Sequence, residues 1–159
     1  MVTDEDRDIN TSAGGNSISY ADVLAALNSK NALLNSVVNA NFADSTRALS
    51  LGIDSDGNAF VADGLGGYTT SGGANTTYAY GTTKADYIDL ALASGGAAWS
   101  LNELRAGGNK AVSFTQAFTD IKVEEIIRQD PGVPEPTTVG LLAFGFFALI
   151  GTTYRRKRR

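Results

Sequence analysis

The chain contains no cysteine and no histidine in 159 residues. Without cysteine there is no disulfide framework, no thiolate zinc site and no thiol nucleophile. Without histidine there is no Ser–His–Asp triad, no Cys–His dyad and no imidazole to titrate near neutral pH. An enzyme built from these residues would run on carboxylates, lysine, hydroxyls or tyrosine, and no triad, metal cluster or phosphate loop is present in the sequence. The expectation is that the protein is not an enzyme. At 16.6 kDa the length suits one domain with a real core.

Basic residues are also scarce until the end of the chain. The formal net charge is -4, but the last five residues, Arg155, Arg156, Lys157, Arg158 and Arg159, contribute +5 of it, leaving -9 for residues 1–154. Over residues 1–130 there are 16 acidic and 8 basic residues, a net -8. Phosphate binding needs clustered Lys and Arg, so an acidic body speaks against nucleic acid as a partner.

The segment before the basic tail gives that tail its meaning. Val139 to Gly151 carries no charge, and flanking Thr and Tyr residues extend the uncharged run to 18 residues, 137–154. At about 1.5 Å per residue this spans roughly 27 Å, enough to cross a thin bilayer. Residues 139–154 are expected to form a transmembrane helix, with 155–159 as a basic cytoplasmic stop and the preceding chain outside. Just upstream, in the linker 131–138, stands Val133-Pro134-Glu135-Pro136, an extended, protease-accessible stretch because each proline fixes φ and removes a donor.

A Val-Pro-Glu-Pro segment, a short apolar span and terminal Arg/Lys, in that order, resemble the PEP-CTERM sorting signal of Gram-negative bacteria. The resemblance implies exosortase as a partner and passage through the inner membrane before processing. The product would then reach the cell surface or extracellular matrix. Absence of Cys suits an exported protein. The first residues, Met1-Val2-Thr3-Asp4-Glu5-Asp6, are acidic and lack an apolar stretch, so export is expected to depend on sequence upstream or on another route.

In the body, residues 1–17 are polar and read as a flexible leader ahead of a domain spanning 18–130. Ser19 with Asp22 resembles a capping box, and Tyr20, Val23, Leu24 and Leu27 lie at helical spacing, predicting a helix over about 20–28. Leu33, Leu34, Val37 and Val38 suggest a second, weaker helix interrupted by asparagines. From Arg47 the period becomes two: Leu49, Leu51 and Ile53, a turn at Asp54–Asn58, then Phe60 and Ala62 as the return strand of a hairpin. Residues 68–77 read as a Gly/Ser/Thr/Asn loop. Alternating runs follow at 87–93, 98–104 and 111–118, with 121–127 as a last strand or helix. The fold class expected is α+β: an N-terminal helix or two packed on a mainly antiparallel β-sheet, plus the C-terminal transmembrane sorting helix.

Several groups of polar residues read as structure rather than chemistry. Asp54, Asp56 and Asn58 have calcium-ligand character, but Gly57 comes fourth where a calcium loop needs glycine sixth, so a hairpin turn is expected. Asp86, Asp89 and Glu103 are expected to be solvated charges on strand faces. Asn75-Thr76-Thr77 has the form of a glycosylation sequon.

One segment stands apart: Ala59-Phe60-Val61-Ala62-Asp63-Gly64-Leu65-Gly66-Gly67-Tyr68-Thr69. It resembles the core of the HasA-type haemophores, secreted bacterial heme-acquisition proteins. The likeness continues through Gly81, Asp86, Ile88, Leu90, Gly95-Gly96 and Val112-Ser113-Phe114. Upstream, Phe42 and residues 45–50 stand where that family has its preceding strand, so the likeness covers roughly 17–118. It implies heme b as cofactor, Tyr68 as the ligand of the heme iron and a heme receptor as a further partner. In that family a His beside the Tyr strengthens the phenolate, and a second His on another loop can take the opposite axial position. Here Thr76 or Thr77 stands at the first place and the region 34–42 carries no His, so Tyr68 is the only protein ligand carried over. Tyr78 and Tyr80, across the same loop, are possible porphyrin contacts. A phenol with an ordinary pKa near 10 needs a metal or base to lose its proton at neutral pH, and a missing helper removes the support that orients such a ligand.

Two readings therefore stand side by side. One is an exported heme-binding, haemophore-like domain with Tyr68 as sole protein ligand. The other is a non-catalytic structural or adhesive matrix protein that keeps the scaffold without the cofactor.

Overall fold

A computed structural model describes residues 1–3 and 18–129. Met1–Ile126 forms one compact unit and a second begins at Ile127. The transmembrane helix expected at 139–154, the sorting residues Val133, Pro134, Glu135 and Pro136, and the basic stop lie outside the described residues, as does most of the leader. No helix among the described residues is long and apolar enough to cross a membrane.

The architecture is α+β with mixed sheets. Helix α1 spans Tyr20–Ser29 and opens on the expected capping box: Ser19 Oγ accepts from the Asp22 amide at 3.2 Å, and Asp22 Oδ2 accepts from the Ser19 amide at 3.0 Å. The second helix expected around Leu33–Val38 does not form. Strands β2 (Ser36–Val38) and β3 (Ala40–Ala43) take its place. Val37 and Val38 point to opposite sides and each is buried, which a β-branched pair in a strand covered on both faces allows.

Met1–Thr3, part of the sequence read as a leader, includes a short edge strand, β1 (Val2–Thr3), paired in parallel with β2. Strands β4 (Leu49–Ser50), β5 (Gly52–Asp54) and β6 (Asn58–Ala62) contain the expected hairpin. Residues 68–77, expected as a loop, are instead β7 (Tyr68–Gly72) and the start of β8 (Asn75–Ala79), joined by Gly73-Ala74. Strand β9 is Ala97–Ser100. The larger sheet runs β1-β2-β9-β5-β6-β7 and the smaller β4-β3-β8. Among the described residues β1–β2 and β2–β9 are parallel and the other five pairings antiparallel.

Two of the runs expected as strands, 87–93 and 111–118, are helical, and a third, 98–104, begins in strand β9 and ends in a helix. Residues 87–93 belong to a π-helical turn, Lys84–Ile88, that runs into α2 (Asp89–Ala93). Beyond β9 the run 98–104 enters α3 (Leu101–Arg105), and 111–127 is one long helix, α4 (Gly108–Arg128). In α4 the buried residues Phe114, Ala117, Ile121 and Glu125 recur every three or four positions, the helical period that the local alternation of Ala111 to Phe118 obscured. The carboxylates expected on strand faces are on helices: Asp89 pairs with Lys84 at 2.7 Å, and Glu103 with Lys110 at 2.8 Å.

The larger sheet is covered on both faces. Against α4 it presents Val37, Leu51, Phe60, Ala97 and Trp99, which pack with Phe114, Ala117 and Ile121. On the other face Val38, Ile53, Ala59 and Ala98 meet Ala40 and Phe42 of the smaller sheet and Ile88. Trp99 is fully buried, stacks on Phe60 (5.4 Å, 13°) and is met edge-on by Phe114 and Phe118.

One local device recurs at three turns. Asp44, Asp54 and Asp63 each accept, at Oδ1, the amides of the residues two and four positions on: Thr46 and Ala48, Asp56 and Asn58, Leu65 and Gly67. In each turn the third residue after the aspartate is left-handed: Arg47 at φ 70°, Gly57 at 81° and Gly66 at 105°. Carboxylates used this way are turn formers, as the Asp54–Asn58 spacing suggested.

Candidate functional site

The segment that drew attention in the sequence forms β6, a tight loop and the start of β7. The loop is closed by Asp63, whose Oδ1 holds the Leu65 and Gly67 amides at 2.7 and 2.9 Å. A Cβ on Gly67 would stand 2.6 Å from Asp63 Oδ2, so the carboxylate seats itself only because residue 67 has no side chain. This brings the chain straight into β7, where Tyr68 pairs with Ala62. Gly66 lies over Val112 at the start of α4, and Asn109 Nδ2 donates to the Gly64 carbonyl at 2.8 Å. The loop is thereby fixed to α4.

Tyr68 bridges sheet and helix. Its ring meets Phe60 edge-on, with centroids 6.0 Å apart, and its hydroxyl donates to Asp120 Oδ2 on α4 at 3.2 Å. Partial burial first, then the negative charge of Asp120, the hydrogen bond to it and the charge of Glu124, all raise the phenol pKa above its ordinary value. The arrangement keeps the proton on the oxygen.

A pH dependence follows from that direction. The native state favours the neutral phenol, so its contribution is present below about pH 10, the ordinary phenol value, and is lost as pH rises through the raised native value. Tyr68→Phe is expected to cost about 0.5–1 kcal/mol near neutral pH, the worth of one hydrogen bond. Urea midpoints of the two proteins should then converge above about pH 10, where wild-type alone titrates. A constant difference across that range would show that the hydroxyl carries no pH-dependent stability.

The other residues carried over from the haemophore likeness are elsewhere. Tyr78 and Tyr80 lie on and just after β8, in the smaller sheet, each 49% exposed. Tyr78 pairs with Asn41, and neither ring stacks on Tyr68. Thr76 pairs with Phe42, and the Thr77 hydroxyl donates to the Asn41 carbonyl at 3.1 Å. The group beside the Tyr68 oxygen is Asp120, which the sequence reading did not select. Its signal was present as Asp120 and Glu124 at i,i+4, which share one side of a helix, but only once 111–127 is seen as helical.

A second polar cluster lies on the far part of the sheet. Asn35 Nδ2 donates to both oxygens of Glu125, at 3.1 and 2.9 Å, and Asn35 Oδ1 accepts from Trp99 Nε1 at 3.2 Å. Lys122 Nζ lies 2.7 Å from Glu125 Oε2. Asn35 and Glu125 are both about nine-tenths buried, and the network ties α4 to β2 and β9. Among the described residues no group of Asp and Glu is placed to hold a metal ion.

Residues 132–159 match the PEP-CTERM protein-sorting motif. No curated protein and no solved structure matches the chain. The match covers Val133, Pro134, Glu135 and Pro136, the uncharged run and the five terminal basic residues. The chain therefore carries the address of an exported, membrane-anchored precursor that is processed by exosortase and sorted to the cell surface in Gram-negative bacteria.

Proposed function

We propose that the exported domain is a non-catalytic structural or adhesive component of the cell surface or extracellular matrix, in which Tyr68 is a strut between β7 and α4 rather than an iron ligand. The observation that carries this reading is the Tyr68–Asp120 contact. Ligation of ferric heme asks for a phenolate. Here burial and two neighbouring carboxylates hold the proton in place, and they would also oppose the anionic propionates of a heme.

Tyr78 and Tyr80 lie on and just after β8 of the smaller sheet, whereas Tyr68 lies in the larger one, which supports this reading over a shared porphyrin wall. β7 and β8 also turn Thr69, Thr70 and Asn75 to solvent. Hydroxyl and amide groups of this kind hydrogen-bond hydrated polymers, and an acidic body of net -8 over residues 1–130 keeps the released protein soluble.

The test is a hemin titration of the released protein and of Tyr68→Phe, followed by absorbance. The expected result is the same featureless response from both at micromolar hemin. A Soret band that wild-type gives and Tyr68→Phe loses would restore the heme-binding reading and heme b as cofactor.

A further inference from the structure

The outward face of α4 has an unusual composition. Facing away from the core, at about 100° per residue, it presents Val112, Thr115, Gln116, Thr119, Val123 and Ile126. All six are exposed and none is charged. A surface helix ordinarily places its charges there, and this one belongs to a domain of net -8.

The stripe is also less polar than its sequence suggests. The Thr115 hydroxyl donates to the Ala111 carbonyl at 2.9 Å and the Thr119 hydroxyl to the Thr115 carbonyl at 2.8 Å. Both polar groups are thus spent on the helix backbone, leaving the threonines' hydrogen-bonding needs met without solvent. Val112, Val123 and Ile126 are 57, 50 and 66% exposed. A shallow groove of about 540 Å³ runs along the first half of the stripe, bounded on one side by Asp120.

We infer that this face is a self-association surface, through which two membrane-anchored copies of the chain pair α4 against α4, parallel and in register. The anchor supplies the encounter. Nine residues, 130–138, separate the described chain from the apolar run, a reach of roughly 30 Å, so anchored precursors are confined near one membrane plane, which raises the concentration at which copies meet.

Charge sets the direction of pairing. Asp120 and Lys122 flank the stripe on opposite sides. In a parallel two-fold pair each side of one helix meets the opposite side of the other, which sets Asp120 beside Lys122 of the second copy, twice. In an antiparallel pair Asp120 would face Asp120. Lys122 keeps 35% of its side chain exposed while bonded to Glu125, and Asp120 is exposed. The parallel register stacks Val112, Thr119 and Ile126, seven residues apart, each on its own copy, which is the spacing of a helix-pair seam.

The chain has no cysteine, so a single substitution gives a unique thiol for disulfide trapping of the full-length precursor in membranes of a host lacking exosortase. Thr119→Cys and Ile126→Cys are expected to form disulfide dimers under mild oxidation, while Asp56→Cys, on the exposed hairpin turn, remains monomeric. Co-expressed Val112→Cys and Ile126→Cys copies should give homodimers only. Adding Asp120→Lys to Thr119→Cys should lower trapping roughly fivefold, and the exchange Asp120→Lys with Lys122→Asp should restore it.

Trapping at Thr119 no better than at Asp56, or a Val112–Ile126 heterodimer, would overturn the inference. So would recovery of the protein outside the membrane fraction, because the inference rests on the anchored precursor. It does not rest on the absence of heme, and the hemin titration is read separately.

Discussion

Gly52→Ala is expected to destabilise the domain by about 3 kcal/mol, at the upper end for overpacking a well-filled core. A methyl at this position would meet Trp99 Cε3 at 2.5 Å and the Ala98 carbonyl oxygen at 2.8 Å. The indole cannot yield, because it is stacked on Phe60, met edge-on by Phe114 and Phe118 and hydrogen-bonded through Nε1 to Asn35. The carbonyl cannot yield either, since Ala98 belongs to β9, paired with β2 on one side and β5 on the other. Gly57→Ala is the control. That glycine sits at φ 81° with nothing within 4 Å of an added Cβ, so it should lose only about 1 kcal/mol of backbone strain. Urea midpoints at unchanged slope would check both. Equal losses would mean that the tryptophan pocket accommodates the methyl.

Gly52 also shows where the sequence was legible and where it was not. The hairpin around it could be read directly because its signals are local: alternation at Leu49, Leu51 and Ile53, and an aspartate turn whose carboxylate caps its own backbone. Helix α1 was readable for the same reason, as Ser19 and Asp22 cap it within one turn. The failures lie where tertiary burial replaces local pattern. β2 is a short strand covered on both faces, so Ser36–Val38 has every residue buried and shows no alternation; β9 fell within the strand expected at 98–104, and only its passage into α3 was missed. α4 failed in the opposite way, since the short run Ala111 to Phe118 alternates by chance while Phe114, Ala117 and Ile121 set the true period.

The same distinction governs the sites. The sorting signal is read from order and composition alone, as a Val-Pro-Glu-Pro segment, an uncharged apolar run and terminal Arg/Lys in sequence. The Tyr68 site required a contact 52 residues apart in sequence, between β7 and α4. Nothing near Tyr68 announces Asp120, and mistaking 111–118 for a strand removed the helical register that would have set Asp120 and Glu124 on one side. The hydroxyl-rich stretch 68–77 looked like a loop because threonine, serine and glycine are common in loops. In the structure its threonines serve as the β-branched residues of edge strands.

Glu125→Ala is expected to cost about 3 kcal/mol, because it deletes a buried acceptor and leaves a buried donor unsatisfied, at the upper end of the range for such a loss. Glu125 is 8% exposed and accepts twice from Asn35 and once from Lys122. Its loss leaves the buried Asn35 amide without an acceptor, and Asn35 is also what orients the indole of Trp99. Glu125→Gln, which keeps a carbonyl oxygen for Asn35 but not the charge for Lys122, should lose about half as much. Lys122→Ala should lose less again, since that side chain is 35% exposed and its pairing is screened by solvent. The order Ala, then Gln, then the lysine variant distinguishes a buried acceptor from an ordinary surface ion pair. If Lys122→Ala proved as damaging as Glu125→Ala, the charge pair rather than the Asn35–Trp99 connection would be what fastens α4 to β2 and β9.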